Sequence, residues 1–403
     1  MLLKYYKILG SALLIAGTSM GAGMLAIPIT TGVTGSIPAY VIMLCAFFFM
    51  LSSIFLLLET LYYCQEPQAN IISVFHTLLG KRGSFIAWVS FLLLLYSVLA
   101  AYITGGGELL STALTHFNIE INNNVAVISF VFVFGSLIYT RARGIDYLNQ
   151  FLMLAFVSSF IILILIILSQ GKIHPLQQGN SKYIWAAIPV VILAFTSHII
   201  LPSLKLYLQD VSLLKKATLI GSCIPLTCYL IWQTLLIGAL PPDSLSLLAT
   251  SENGVTAIAS LIGIPSIALI ILIFSFFALL TSFLGSTLSL VDFLADGLQI
   301  RRTTLGITIL LILSLVFPLL FALYFPRGFV IALGYAGVFV AILYTILPAL
   351  VVWRARYHLQ LSSPFRLFGG KTMLILIMLG GCCIIALQFA VTLGWTPTIS
   401  SGR

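Results

Sequence analysis

Residues 17–28, GTSMGAGMLAIP, set three glycines and a proline in the middle of the first long apolar run of this chain. A later run carries FTSHIILPS, residues 195–203, with His198 four positions before Pro202. Proline removes a backbone donor and clashes with the preceding turn. Glycine lowers the cost of leaving helical geometry. Broken backbone inside a bilayer survives only within protein or along a wet cavity. Half-helix ends placed there offer free N–H groups to an anion and free C=O groups to a cation. A zwitterion presents one group of each kind, so the two stretches together predict a clasp for an amino acid. The same residues could instead serve close helix packing, since Gly17-x3-Gly21 has the small-xxx-small spacing. The matching interruption in the second run favours the clasp.

Titratable groups are few: ten Asp plus Glu and five His in 403 residues. Glu66, Glu120, Asp210, Asp243 and Glu252 fall in loops or surface segments. Asp146, Asp292 and Asp296 lie beside arginine clusters and read as interfacial ion pairs of little energetic weight. Glu59, Glu108 and His198 lie within apolar runs, where an ionisable side chain is a functional candidate by default. They are the candidate proton-coupling groups. Glu59 lies near the inner end of its run and Glu108 near the outer end of its own, so reaching out to water is the competing use of both carboxylates, and a hydrogen-bonded core histidine that of His198.

Composition sets what must position these groups. The chain is 61% hydrophobic and 7% charged, against about 25% charged in soluble domains. Its solvent must be lipid, and its long non-alternating runs are helices rather than barrel strands. The net charge of +9 sits in small clusters between runs, as membrane topology requires, and shows no basic groove for nucleic acid. The six cysteines and five histidines lack metal-ligand spacing, so no metal or cofactor is expected. There is no His-Glu-x-x-His motif or carboxylate cluster, which argues against an enzyme, and no Walker motif, which argues against direct ATP drive.

Eleven spans are predicted, at about 8–30, 36–62, 84–114, 124–140, 148–169, 185–207, 218–240, 265–295, 304–324, 328–352 and 373–394. The first is expected to be a retained span rather than a cleaved signal. Residues 244–262 are amphipathic and predict a short surface helix. With the N-terminus in the cytoplasm, fifteen Lys and Arg fall on the inner side and four (Lys172, Lys182, Arg327, Arg403) on the outer, which obeys the positive-inside rule. The C-terminus is then periplasmic. Spans one to five (8–169) and six to ten (185–352) each count an odd number, so the second set starts on the opposite face. That arithmetic predicts one transmembrane domain built as a five-plus-five inverted repeat, with an extra helix at 373–394.

Four stretches, AGTSMGAGMLAIP (16–28), AAYITGGGELL (100–110), TSFLGSTLSLVDFLAD (281–296) and FALYFPRGFVIALGYAGV (321–338), resemble the bacterial aromatic amino acid permeases, over about residues 8–394. The resemblance implies an all-α inner-membrane protein of the amino acid-polyamine-organocation type. It implies import of tyrosine, tryptophan or phenylalanine by proton symport. The tyrosine branch carries roughly FTSFGFHGSVPS in span six; here three residues are missing before His198, and no glycine flanks it. On this reading Gly17, Thr18 and Ser19, with the amides of Gly21, Ala22 and Gly23, meet the substrate carboxylate. Thr196, Ser197 and His198 face them from span six, and Ser97 and Tyr102 of span three offer a hydroxyl and a stacking ring. Thr281 and Ser282 resemble a cation-binding pair of the wider superfamily, which leaves a sodium-coupled transporter of tryptophan or another neutral amino acid as the alternative. Helix–helix hydrogen bonding is the plainer use of that pair.

Overall fold

The structure, a computed structural model, describes residues 2–64, 71–116, 118–139, 142–170, 176–241, 244–245, 254–326 and 328–397. Glu66, Asp243 and Glu252, and of the topology charges Arg141, Lys172, Arg327 and Arg403, lie outside the described residues, as do the side chains of Ala22, Arg143 and Asp146.

Among the described residues the fold is all helical. Span one is α1 (Leu2–Ser19) and α2 (Ala22–Gly32), bent by 52°. Then follow α3 (Ser36–Tyr62), α4 (Ile71–His116), α5 (Asn123–Ser136) and α6 (Ala142–Ser169). Span six is α7 (Ile184–Ala194), a 3-10 turn (His198–Ile200) and α8 (Leu201–Leu208). After it come α9 (Val211–Gly238), α10 (Gly254–Ile262), α11 (Pro265–Leu298), α12 (Thr304–Tyr324) and α13 (Phe329–Val340). A π-helical segment (Ala341–Ile346) leads into α14 (Leu347–Trp353), and α15 (Gly370–Thr392) is last. Nine of these segments are individually long and apolar enough to cross a bilayer, and the bent pair makes ten. Asn123–Tyr139 is apolar but shorter.

One helical stretch was not anticipated. α4 begins at Ile71, well before the predicted start near 84, and turns at Gly80, whose φ of 73° falls in the left-handed region that glycine tolerates. Ile71, Val74, Phe75 and Leu78 are buried, the i, i+3, i+4, i+7 stripe of an amphipathic helix. The glycine triplet of AAYITGGGELL is a packing seam. A Cβ on Gly106 would lie 2.4 Å from the Phe130 ring and one on Gly107 2.4 Å from Val127, both on α5, so α4 and α5 meet almost backbone to backbone.

Prolines leave orphan carbonyls that side chains of other helices satisfy. Pro28 lacks the N–H that would reach Met24 O, and Trp232 Nε1 of α9 donates to that oxygen at 2.5 Å. Pro348 likewise frees Tyr344 O, to which Ser53 Oγ of α3 donates at 2.5 Å.

The two ends of the bundle differ. At one, Lys7 lies 5.4 Å from the Tyr207 ring, Lys205 Nζ donates to Leu61 O at 2.5 Å, and Lys215 lies over Phe365. At the other, Gln177 Nε2 donates to Ile237 O and Leu240 O at 2.8 and 2.7 Å, Ser36 N donates to Gln177 O, and Asn180 N donates to Val33 O. That loop straps the α2–α3 turn to the end of α9 and closes this end.

Candidate functional site

Both predicted interruptions are present, and they are unequal. In span one, α1 ends at Ser19 and Gly21 adopts φ −108°, ψ −117°, outside the helical basin. Gly21 N donates back to Ser19 O at 3.0 Å, and Met24 N donates to Gly21 O at 3.1 Å. Ala22 and Gly23 therefore carry first-turn amides of α2, which an α-helix leaves without an intrahelical acceptor. In span six the α-helix stops at Ala194, and only residues 195–197 separate it from the 3-10 turn. Pro202 falls in the first turn of α8, where its missing N–H costs nothing. The chain from Ser181 to Leu208 runs as a single apolar span, without a bend like that of span one. The stretch lacking three residues thus yields a gap in the hydrogen bonding and not the sharp bend of span one.

A cavity of about 630 Å³ lies between the two gaps. Span one contributes Gly17, Thr18, Ser19, Gly21 and Gly23; Thr196 faces them from span six, and Tyr102, Thr281 and Ser282 close in from α4 and α11. Among the described residues, no Asp, Glu, Lys, Arg or His lines it. The close approach at its centre depends on glycine. A Cβ on Gly21 would stand 2.4 Å from Ser282 Oγ, and one on Gly23 2.6 Å from Tyr229 Oη and 2.7 Å from Ala194 Cβ. In span one, span six and α11 the lining is least exposed beside the gaps and more exposed toward the basic end. In span one it climbs from 0% at Ala26 through 7% at Ser19 to 55% at Leu14. In span six Ala194 is buried and Ser203 exposed; in α11 Thr281 is buried and Gly285 exposed. The cavity therefore opens toward the end that carries Lys7 and Lys205 and is shut beneath the Gln177 strap.

The structure does not bring all of the expected site residues to the cavity. Ser197 and His198 are buried and turn away from the cavity, because the chain re-enters 3-10 geometry there. The single Ser53 hydroxyl proton goes to Tyr344 O, so His198 Nε2 must be the donor across the 3.0 Å to Ser53 Oγ. The imidazole stacks on the Tyr344 ring at 4.7 Å. His198 thus fastens span six to α3 and to the π-helical segment. Ser97 is half-buried on α4 and outside the lining, and Glu108 is half-buried near the far end of the same helix. Glu59 is fully buried at the basic end, where Arg356 Nε and Nη2 donate to its carboxylate at 2.7 and 2.5 Å. Tyr63 Oη donates at 2.6 Å and Leu367 N at 2.7 Å. That carboxyl group is held by four hydrogen bonds from three residues, which is structural work. Of the minor acidic groups, Asp292 pairs with Arg302 at 3.0 Å on the exposed surface, while Asp210 caps α9 by accepting from Ser212 N and Leu213 N.

The cavity also uses residues not singled out in the sequence. Gly285, Ser286 and Ser289 continue the line of Thr281 and Ser282 along one face of α11. Small and hydroxylated residues at i, i+4 and i+8 were the available signal. Tyr344 also reaches the cavity, and nothing local to its sequence foretells it.

An all-helical bundle of bilayer-length spans, with two interrupted ones around an uncharged central cavity, defines a multi-pass membrane protein of the transporter type. The chain belongs to the tryptophan/tyrosine permease family, whose pattern matches residues 4–388. It is 35% identical over 401 residues to tyrosine-specific transport system 1 of Haemophilus influenzae, covering 98% of this chain and 99% of that one. It is 30% identical over 411 residues to the tryptophan-specific transport protein of the same organism, covering 97% and 98%. Among solved structures it shares its fold with the Eremococcus coleocola manganese transporter, at a TM-score of 0.60 and 16% identity, over 95% of this chain and 85% of that one. The family is one of transport proteins, so the chain is a permease and not an enzyme.

Proposed function

We propose that this chain imports an aromatic amino acid, tyrosine foremost, across the bacterial inner membrane by proton symport with alternating access. One observation carries the reading: the cavity between the two helix gaps has hydroxyls, first-turn amides and an apolar wall, but no charged side chain among the described residues. A net cation or anion would be left unneutralised there. A zwitterion brings its own balance and meets N–H groups with its carboxylate and carbonyls with its ammonium. The apolar part of the wall, including Leu94, Leu95, Val98, Val190 and Leu333, suits a ring. The names of the relatives support tyrosine or tryptophan as that ring's bearer.

With the N-terminus cytoplasmic and the C-terminus periplasmic, as the basic loops favour, the cavity opens inward and the Gln177 strap closes the periplasmic side. The five-plus-five inverted arrangement, with Asn123–Tyr139 as the shortest of eleven crossings, accounts for an interrupted span at the start of each half. Rocking of one set of spans against the other would expose the same cavity outward. Sodium is the second reading for the coupling ion. It is favoured by Thr281 and Ser282 lining the cavity against Gly21, while no carboxylate among the described residues does.

Proteoliposomes holding the purified protein decide between them. Labelled tyrosine is expected to accumulate under an inward proton gradient alone, with tryptophan and phenylalanine as competitors. Accumulation under a sodium gradient alone would establish the second reading. No accumulation of any of the three under either gradient would sink both.

A further inference from the structure

Tyr229 lies on α9, wholly buried and outside the cavity lining. Its hydroxyl reaches two backbone carbonyls, Ser19 O at 2.8 Å and Ala194 O at 3.0 Å. Those are the last residues of α1 and α7, the two half-helices that stop at the gaps. A phenol has one proton to donate, and here both neighbours are acceptors. Both carbonyls are also negative dipole ends of half-helices, which repel each other unless a donor stands between them. The ring is held in place by Phe195, edge to face at 5.3 Å. Gly23 and Ala194, which both line the cavity, pack directly against this hydroxyl, as the 2.6 Å separation from a Cβ on Gly23 records.

One turn on, Trp232 donates to Met24 O, so α9 holds span one at two points. Of the two, Tyr229 alone also donates to span six. The geometry points to Tyr229 as the positioning residue that fixes the two helix gaps relative to each other from behind the cavity wall, so that substrate affinity depends on its single proton. This rests on the transport reading only for its effect on substrate. The linkage of the two gaps stands without it.

Tyr229→Phe keeps the ring and its packing and deletes the proton, and Trp232→Phe serves as the comparison. Amide hydrogen exchange on the full-length protein in nanodiscs is the first readout. Tyr229→Phe is expected to speed exchange about five-fold, the scale of one lost hydrogen bond, in peptides covering both 17–24 and 193–200. Trp232→Phe is expected to do so in the first alone. Acceleration in only one of the two stretches with Tyr229→Phe, in neither, or evenly throughout the chain, would overturn the assignment. The second readout is tyrosine uptake per folded molecule. KM is expected to rise about five-fold while kcat stays within about two-fold, since the lost interaction supports binding. A residue with only a packing role would lower the yield of folded protein and leave KM unchanged, which would also overturn it. If wild-type protein takes up no aromatic amino acid, the transport reading fails, and the exchange pattern still judges the linkage.

Discussion

Gly23→Ala is expected to lower tyrosine uptake about 100-fold, the scale of misplacing a binding group by around an ångström, in a protein that still folds. The added Cβ would stand 2.7 Å from Ala194 Cβ and 3.1 Å from its Cα, besides 2.6 Å from Tyr229 Oη. A rotating side chain could yield, but the Ala194 backbone cannot, so spans one and six must separate where their gaps meet. The change buries no charge and opens no cavity, so the melting temperature in detergent should fall only modestly beside the loss of transport. Gly285→Ala is the control. Gly285 lines the same cavity, but its Cβ would meet nothing within 4 Å. Uptake within about two-fold of wild type is expected there, as for substitutions that disturb no packing. Equal losses at both positions, measured as initial rates in proteoliposomes, would mean that the approach of the two spans is not what matters.

Glu59→Ala is expected to destabilise the protein by about 3–5 kcal/mol, the usual cost of stranding one partner of a buried ion pair. The Arg356 side chain is only 7% exposed. Once the carboxylate is gone, its Nη2 keeps Leu367 O as an acceptor at 2.8 Å, a neutral group that does not balance the charge. The Leu367 N–H and the Tyr63 hydroxyl lose their acceptor as well. Removing both charges, as Glu59→Leu with Arg356→Met, should recover much of the lost stability, because apolar replacements of similar volume dispense with the desolvation cost. The same pair of variants separates architecture from coupling. If Glu59 serves only as an anchor, the double variant accumulates tyrosine under a proton gradient like wild type. If Glu59 carries the coupled proton, the double variant folds but fails to concentrate substrate.

How far the sequence discloses this molecule depends on the range of each interaction. The gap in span one was legible because glycine and proline act on their own turn, and Gly17, Thr18, Ser19, Gly21 and Gly23 all reach the cavity. Thr281 and Ser282 were reached through the family resemblance, and helical spacing from them could have added Gly285 and Ser289. His198 and Ser197 were misplaced because three non-helical residues precede the 3-10 turn, so periodicity no longer fixes which way a side chain points. Glu59 was read as a coupling candidate or a carboxylate reaching out to water, because the partner that claims it lies 297 positions away in sequence. The same distance hides Tyr229, whose two acceptors are separated from it by 210 and 35 positions. Pairings of that range have no local signature. They arise only when the helices pack.

The central claim is that the space between the two helix gaps holds the amino acid. Its most direct test is an electron cryo-microscopy map of the protein in nanodiscs with saturating tyrosine, compared with a map without it. The account predicts one added density in the cavity, with its carboxylate end at the amides of Ala22 and Gly23 and its ring against the apolar wall. Tyrosine density elsewhere, with that cavity unchanged between the two maps, would contradict it.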